Sequence, residues 1–377
     1  MKIALITETF LPSTDGVVTR LSNAVDYMTR QGHEVIVICP KIDGIEEEYF
    51  GAKIYPMTAI TFFFYPHRAW GVPSLKVKDI LEEFQPDIVH AANPISLASS
   101  GVHYAKKLKI PLICSFHTNT PYYLDHYNFG FAKNHLWNYL RDLHNSAKIN
   151  LVTSQAMYEL LQSQDIHGLR VLPKGVDINN RHPRFYSKEM RKKLTEGQEE
   201  KTLLIFVGRL APEKEISSLK EIMDKRDDIR LAIVGDGPSR QELEEHFADT
   251  NTVFTGFLKG RELSQAYASA DAFVFPSLSE TLGLVITEAM ASGTPVIAAH
   301  SEPTIEQIKD RENGFIYQRN SIESLNNCIN SLQDMELCTR VREKGREYAE
   351  KFSWDNASQS MLDAYKDTIT EYRKDNS

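Results

Sequence analysis

Residues 271–291 of the chain read DAFVFPSLSETLGLVITEAMA, which is an apolar run, a polar loop and a second apolar run. The first run, residues 271–275, has the composition of a buried parallel strand, and the second predicts a helix over Leu284–Ala291. Gly293 and Pro295 follow directly and are typical of a helix end. A strand joined to a helix by a short loop is the repeating unit of α/β proteins, so this stretch predicts that fold class.

Two glutamates stand eight residues apart in this unit, Glu280 in the loop and Glu288 on the helix. The N–H groups that begin such a helix, at the carboxyl end of a strand, form a site for an anion or a hydroxyl group. Two carboxylates beside it suit a ligand with several hydroxyl groups, because ionised carboxylates accept hydrogen bonds from O–H donors. A structural alternative stays open, in which Glu280 caps the helix and Glu288 is a solvated surface residue.

The same alternation of strand-like runs and helical patterns recurs along the whole 377-residue chain, in two series. The predicted strands are residues 3–6, 34–38, 87–90, 112–116, 150–153 and 171–172, then 203–207, 230–234, 252–255, 271–275, 296–298 and 314–317. Strands separated by helices of about 10–15 residues indicate parallel sheets. We therefore predict two facing, doubly wound, Rossmann-like domains of the α/β class with an interdomain cleft.

The break between the two series is a polar, basic segment that contains Gly and Pro and shows no apolar period. It predicts an N-terminal domain of residues 1–178 and a C-terminal domain of residues 179–354. A further helical pattern, residues 355–377, is expected to return to the N-terminal domain and fasten the two domains together.

Charge and hydropathy limit the setting in which the protein works. The formal net charge of -8 argues against a nucleic-acid partner, because such partners normally require a basic surface. The first residues hold too short an apolar stretch for a secretory signal, and residues 60–65 fall far below the roughly 20 residues of a membrane-spanning helix. A cytoplasmic protein is expected, either free or peripheral on the inner face of the cell membrane. The four cysteines lack zinc-binding spacing and are expected to be buried, reduced thiols.

Charged side chains follow two other predicted strands, at the edge where open α/β sheets bind ligands. Arg209 and Lys214 follow the first strand of the second domain, where two cations can converge on a diphosphate. The alternative is a surface arginine and a lysine that pairs with Glu213 or Glu215. His117 ends a strand of the first domain and faces the same cleft as the glutamates, although a single histidine is often structural.

Glycines stand at three more strand ends. Gly16 allows close backbone approach where a helix begins near Val17, and the N–H groups of that helix suit a phosphate. A purely geometric role is the alternative for Gly16. Gly235 and Gly256 either admit a nucleotide base or ribose or form plain turns, and Phe257 either packs on a base or belongs to the core.

Six motifs, in this order, resemble those of the retaining GT-B glycosyltransferases of family four. They are Gly16, FHT at 116–118, KGVD at 174–177, VGR at 207–209 with EK at 213–214, GDGP at 235–238 and the Glu280/Glu288 pair. The resemblance covers the full length and is closest to the sulfoquinovosyl- and glucosyl-diacylglycerol synthase branch, through residues 50–53, 85–90, 180–191 and 262–269. Asn119 departs from that branch, since sulfoquinovosyl enzymes tend to have a second His there and mannosyltransferase relatives usually have Asp.

The resemblance implies a retaining, metal-independent hexosyltransferase that uses a nucleoside-diphosphate sugar and needs no cofactor. Arg209 and Lys214 would neutralise the donor diphosphate in place of a metal ion. Glu288 would hold the ribose hydroxyls, and Glu280 would hold hydroxyls of the transferred sugar. His117 would contact that sugar from the acceptor side. The catalytic set would therefore be His117, Arg209, Lys214 and Glu280.

The resemblance also implies further donor contacts from strand-end loops and from the start of the helix. These residues are Gly16, which would close over the diphosphate, Gly235, Gly256, Thr281, Leu282 and Gly283. The C-terminal domain would bind the nucleotide sugar and the N-terminal domain the acceptor. No second carboxylate is evident as a nucleophile. The favoured hypothesis is therefore attack from the face of the leaving group, with the departing phosphate taking the acceptor proton.

The expected acceptor is a hydroxyl group of a glycerolipid such as diacylglycerol. An apolar and basic stretch at residues 62–70 and an amphipathic pattern at residues 131–141, which includes Trp137, either contact a membrane surface or pack in the core. Other functions stay open: transfer from GDP-mannose or a UDP-sugar to a cell-wall or polysaccharide acceptor, epimerisation of a nucleotide sugar, or a non-catalytic binding subunit. The donor base, the sugar and the oligomeric state are not fixed by the sequence.

Overall fold

A computed structural model describes residues 1–62, 65–126, 129–278 and 280–375. The chain forms two compact units, Met1–Gly175 with Trp354–Ser377 and Val176–Ser353. The sequence predicts domain boundaries after residues 178 and 354. In the structure the second unit interrupts the first, because the chain enters it at Val176 and leaves it at Ser353.

The first unit is built on a parallel sheet. Its described strands are β1 (Lys2–Thr7), β2 (Glu34–Pro40), β3 (Glu48–Tyr49), β4 (Ala52–Met57), β5 (Ala59–Phe62), β6 (Tyr65–Gly71), β7 (Ile88–Ala92), β8 (Leu112–Phe116), β9 (Ile149–Val152) and β10 (Leu169–Val171). Eight of them form one sheet in the order β10-β9-β8-β7-β1-β2-β4-β3, parallel except where β3 pairs with β4. The antiparallel pair β5 and β6 is separate. The helices described in residues 1–175 are α1 (Gly16–Arg30), α2 (Lys76–Phe84), α3 (Leu97–Leu108), α4 (Thr120–His126), α5 (Lys133–His144) and α6 (Gln155–Ser163).

The second unit has a six-stranded, fully parallel sheet. Its strands are β11 (Thr202–Val207), β12 (Ile229–Val234), β13 (Thr252–Gly256), β14 (Ala272–Phe275), β15 (Val296–Ala299) and β16 (Phe315–Tyr317). The order β13-β12-β11-β14-β15-β16 is that of a Rossmann fold, in which the direction of winding reverses between β11 and β14. Its helices are α7 (Lys188–Leu194), α8 (Lys220–Lys225), α9 (Arg240–His246), α10 (Gly260–Ser269), α11 (Leu284–Ala291), α12 (Glu302–Ile305), α13 (Ile322–Asn330) and α14 (Met335–Ala349).

The chain then returns to the first unit as helix α15 (Trp354–Asp375). Met361, Leu362 and Tyr365 of α15 share a buried apolar cluster with Leu21 of α1. Tyr365 also reaches the sheet, where its hydroxyl lies 2.7 Å from Nδ1 of the buried His90 on β7. The burial of apolar surface on α15 stabilises the first unit, because such burial is the main favourable contribution to folding.

All twelve predicted strands are present, each within two residues of its predicted bounds, and the helix predicted at Leu284–Ala291 is α11. The strands β3 to β6 were not predicted. β3 has only two residues and β4 contains Pro56, so neither gives a continuous apolar run. The four cysteines are free and buried, as expected, and burial raises the pKa of Cys39 to about 12.

The two stretches considered for membrane contact differ in what the structure describes. In residues 131–141, Trp137 is buried and stacks on Phe116 at 6.2 Å between ring centroids, so this tryptophan belongs to the core. Phe131, in contrast, is 81% exposed. In the stretch 62–70, residues 63 and 64 lie outside the described part of the chain. Over the described ranges, none of the helices combines the length and apolar character needed to cross a bilayer.

Candidate active site

The loop after β11 carries the two cations expected at a diphosphate. Arg209 forms an ion pair with Glu213, whose side chain is 0% exposed and lies in the short 3-10 turn Pro212–Lys214. A carboxylate buried this deeply requires a charged or hydrogen-bonding partner, so the pair fixes the guanidinium as well as the carboxylate.

Lys214 reaches across to Glu280, 66 residues further along the chain, and forms an ion pair in which each side chain is 16% exposed. The hydroxyl of Ser277 donates to the same oxygen, Oε1, at 3.1 Å. Burial opposes ionisation of Glu280, but the charge and hydrogen bond of Lys214, with help from Ser277 and Arg209, outweigh burial and hold the pKa of Glu280 below its ordinary value. The Glu280 carboxylate is therefore ionised at neutral pH.

These residues lie at the point where the second sheet changes its direction of winding. Arg209 and Lys214 follow β11, Ser277 and Glu280 follow β14, and the two strands are neighbours in the sheet. Parallel neighbours place their carboxyl ends at one edge, which is where open α/β sheets bind ligands. The sequence identified Arg209, Lys214 and Glu280 from their positions at strand ends, but it did not identify Ser277.

The helix α11 begins beside this cluster. Gly283 precedes it in the left-handed region with φ 69°, a conformation that favours glycine over residues with a side chain. Thr281 and Leu282 are buried in the loop between Glu280 and the helix. Within the described residues no side chain caps α11, and the residue at its N-cap position is Gly283. The alternative in which Glu280 caps this helix is therefore wrong.

Glu288 on α11 is held by two side chains from other elements. The hydroxyl of Tyr267 on α10 donates to Oε2 of Glu288 at 3.2 Å, and Nε of Arg181 lies 3.6 Å from the same oxygen. The Glu288 side chain is 22% exposed, so the alternative of a solvated surface residue is wrong. The sequence missed Arg181 and Tyr267 because one lies in an irregular segment before α7 and the other in an ordinary apolar helix pattern.

Glycines at the ends of β11, β12 and β13 bring the backbone of these three strand ends close together. A Cβ atom at Gly235 would lie 1.9 Å from the carbonyl oxygen of Gly208, so only glycine permits this approach. Gly235 also donates its N–H to the carbonyl of Gly256 at 2.9 Å. Phe257 is 56% exposed, so the interpretation that it belongs to the core is wrong.

His117 of the first unit directly follows β8 and is buried. Its backbone N–H donates to Oδ1 of Asn93, which follows β7, at 3.2 Å. Burial, followed by the nearby Arg20, His90 and His144, holds the pKa of His117 well below its ordinary value. The imidazole is therefore neutral at physiological pH and suited to hydrogen bonding.

The first residue of α1 is Gly16, one position before the helix start expected from the sequence. Asp15 is the N-cap, and its side chain accepts a hydrogen bond from the N–H of Val18 at 2.9 Å. Thr9 in the same loop donates its hydroxyl to Asp15 at 3.4 Å. The loop after β1 is thus tied to the first turn of α1 by side-chain hydrogen bonds.

The described residues group the site residues into two clusters in the second unit. Arg209, Glu213, Lys214, Ser277 and Glu280 form one, and Glu288 forms the other with its two partners. His117 and Gly16 stand at two strand ends of the first unit. In the ranges that the structure describes, no group of three or more His, Cys, Asp or Glu side chains is placed to hold a metal ion.

GT-B proteins have two Rossmann-like domains in one chain, and solved structures share the fold of this chain. HepE from Anabaena, determined in complex with UDP-glucose, superposes with a TM-score of 0.80 at 20% identity, covering 97% of this chain and 100% of that one. The predicted GT-B fold is confirmed.

Family models match both halves of the sequence. Residues 14–180 match the model described as Glycosyltransferase Family 4, and residues 187–352 match that described as Glycosyl transferases group 1. The sulfoquinovosyl transferase SQD2 of Arabidopsis thaliana is 36% identical over 371 residues, which cover 95% of this chain and 72% of that protein. The chain therefore belongs to the group 1, family 4 glycosyltransferases, and the prediction of a transferase enzyme is confirmed.

Two further relatives differ in the substrates that their names state. A GDP-mannose-dependent alpha-mannosyltransferase of Mycolicibacterium smegmatis is 35% identical and covers 79% of each chain. The alpha-monoglucosyldiacylglycerol synthase of Streptococcus pneumoniae is 30% identical, covering 84% of this chain and 75% of its own. The relatives thus include the lipid-glycosylating branch that the sequence resembles.

Proposed function

We propose that this chain transfers a hexose from a nucleoside-diphosphate sugar to a hydroxyl group of a glycerolipid such as diacylglycerol, with retention of configuration. The observation that carries the proposal is the Lys214–Glu280 pair beside the Arg209–Glu213 pair, at the ends of β11 and β14. Such a site offers two cations to a diphosphate and an ionised carboxylate to the hydroxyl groups of a sugar.

The two cations have a direct chemical role in this scheme. Negative charge grows on the diphosphate as its bond to the sugar breaks, while the sugar ring becomes oxocarbenium-like. Arg209 and Lys214 are already held by buried or half-buried carboxylates, so little reorganisation is needed when that charge develops. The attraction between these two cations and the diphosphate is therefore stronger in the transition state than in the ground state. In this scheme the two cations take the place of the metal ion that other enzymes use.

Retention follows if the acceptor hydroxyl attacks from the face of the departing phosphate and gives its proton to that phosphate. In this scheme Glu280 and Glu288 accept hydrogen bonds from hydroxyl groups and position the donor. His117, neutral because of its burial, contacts the transferred sugar as a hydrogen-bonding group. The scheme assigns Gly16 and the N–H groups at the start of α1 to the diphosphate.

The lipid acceptor is supported by the diacylglycerol synthase among the relatives and by one surface feature of the first unit. Phe129 and Phe131, on either side of Gly130, are both exposed, and their ring centroids lie 6.2 Å apart. They precede α5, which begins with Lys133. Aromatic rings beside a cation suit the interface of a bilayer with anionic lipids. We infer that this segment contacts the membrane surface from the cytoplasmic side.

The donor is identified first, by thermal unfolding with UDP-glucose, GDP-mannose and ADP-glucose, since a ligand of the folded state raises the melting temperature. The donor that binds is then incubated with diacylglycerol in anionic vesicles, and release of nucleoside diphosphate is measured. We expect release that depends on diacylglycerol. Conversion of the donor without any acceptor would indicate an epimerase. GDP-mannose turnover with a polysaccharide and none with lipid would favour the mannosyltransferase alternative.

Membrane contact is tested separately. The wild-type chain should sediment with anionic vesicles at low salt and remain in solution at high salt. Replacing Phe131 with Ser should weaken this binding, whereas replacing Leu75, which is exposed to a similar extent, with Ser should not. If both variants lose vesicle binding equally, or if the wild type sediments with no lipid composition, this segment does not contact the membrane as proposed.

A further inference from the structure

Tyr267 and Arg181 contact a carboxylate of the proposed donor site although neither has a role in the scheme above. The Tyr267 hydroxyl donates to Oε2 of Glu288 at 3.2 Å, and Arg181 Nε lies 3.6 Å from that same atom. Because both contacts fall on one oxygen, they fix the rotation of the carboxylate group. Neither contact falls on the other oxygen, Oε1.

Both partners are themselves held in place. Tyr267 is fully buried on α10, and its ring packs edge-on against Phe273 of β14 at 5.9 Å between centroids. Arg181 donates from Nη1 to the hydroxyl of Ser264 at 2.9 Å, and its backbone carbonyl accepts from Nη1 of Arg346 at 3.0 Å. Both partners of the Glu288 carboxylate are therefore fixed by contacts with other parts of the second unit.

Rigid support of this kind matters for a flexible side chain. A glutamate has several rotatable bonds, and ordering them on binding lowers the affinity for a ligand. A neighbouring guanidinium also offsets the cost of keeping a carboxylate charged in a partly buried place. A Glu288 side chain already fixed at Oε2 can accept hydrogen bonds from a ligand without either penalty.

We propose that Tyr267 and Arg181 are positioning residues that hold Glu288 ready for the adjacent 2′- and 3′-hydroxyls of the donor ribose. This inference rests on the proposed function, in which Glu288 binds that ribose. In this proposal the two residues act through Glu288 and have no contact of their own with the sugar or the diphosphate. Removing either contact therefore weakens binding of the ribose but does not change the bond breaking at the diphosphate.

The test compares nucleotides that differ only at the ribose. The probe is whichever of UDP, GDP and ADP the wild-type protein binds, together with its 2′-deoxy and 3′-deoxy forms, with dissociation constants measured by titration calorimetry. Tyr267→Phe keeps the buried ring and removes the hydroxyl, and Arg181→Gln removes the charge. The matched control is Tyr317→Phe, another buried tyrosine of the second unit, on the edge strand β16.

We expect the wild type to prefer the ribonucleotide, and Tyr267→Phe to weaken ribonucleotide binding by about fivefold to tenfold, the net value of one ordinary hydrogen bond. Binding of the deoxy forms should stay within about twofold, and Tyr317→Phe should match the wild type throughout. In turnover, the donor KM should rise while kcat changes little.

The outcomes separate this inference from the proposed function. If the wild type binds none of the three diphosphates, the proposed function fails. If it binds one of them and Tyr267→Phe weakens the ribo and deoxy forms equally, the positioning role is wrong and the proposed function stands. A wild type that does not distinguish ribose from deoxyribose would overturn the positioning role together with the assignment of Glu288.

Discussion

Replacing Lys214 with Met is the change that bears most directly on the proposed chemistry. Methionine keeps much of the length of the side chain but has no charge, so the variant loses the ion pair with Glu280. The carboxylate keeps its hydrogen bond from Ser277, at 3.1 Å, and the more distant charge of Arg209. The perturbation is therefore confined to one cation of the proposed diphosphate site.

Two effects of this change have different magnitudes. Loss of one fixed group that stabilises developing charge costs about 10²–10³ in kcat, which is about 2.7–4 kcal/mol of transition-state stabilisation. The partly buried carboxylate also loses a partner, which costs about 1–3 kcal/mol of unfolding free energy. The loss of transition-state stabilisation is the larger of the two, so kcat should fall strongly while the free energy of unfolding decreases less. The pKa of Glu280 should rise as well, because Lys214 contributes most to lowering it.

The assay is kcat and kcat/KM with the donor that the wild type binds, alongside urea unfolding of each variant. The matched control is Lys225→Met, which removes a lysine from the solvent-exposed ion pair with Glu221 and should change both quantities little. The double variant with Glu280→Gln completes a cycle that measures the coupling between the two groups. A kcat within about threefold of the wild type for folded Lys214→Met would refute the role of this cation.

Three further results are expected. Replacing Glu213 with Gln removes the buried counter-charge of Arg209 and should lower kcat/KM about tenfold, and a variant with unchanged kinetics would contradict the role of that pair. Burial lowers the pKa of His144 to about 4. Below about pH 6.5 this imidazole takes up a proton in the unfolded chain but not in the folded one, so the free energy of unfolding decreases as the pH is lowered from about 6.5 to about 4. His144→Gln should therefore make the slope of unfolding free energy against pH shallower by about 1.4 kcal/mol per unit, as measured by urea titrations at pH 7, 6 and 5. Activity should survive treatment with EDTA, and its loss, restored by a divalent cation, would contradict the metal-free scheme.

Strand ends were the most predictable part of the site. The β14–α11 unit could be located because an apolar run, a polar loop and a second apolar run have few other interpretations, and the observed α11 has the predicted bounds. The closeness of Lys214 to Glu280 could be anticipated in general terms, since parallel strands share a carboxyl edge. The sequence could not reveal which carboxylate each cation would select, because that choice depends on side-chain packing around Glu213 and Ser277.

The support of Glu288 illustrates what sequence reasoning cannot reach. Tyr267 has the signature of a core residue and is one, since its ring is fully buried, yet its hydroxyl contacts the carboxylate. Arg181 lies in a segment without periodicity, and only the tertiary fold places it beside α11. The antiparallel pair of β5 and β6 was missed for a different reason, because β6 contains Pro66, His67 and Arg68, which interrupt the apolar pattern of a strand.

The return of α15 to the first unit has a consequence for biosynthesis. Domains generally fold in order as the chain leaves the ribosome, but α15 emerges only after the whole of the second unit, Val176–Ser353. Until then α1 lacks the apolar partners Met361 and Leu362, and His90 lacks the hydroxyl of Tyr365. The unit whose synthesis begins first is therefore the last to have all of its packing partners. A nascent chain paused before Trp354 would expose apolar surface that chaperones recognise.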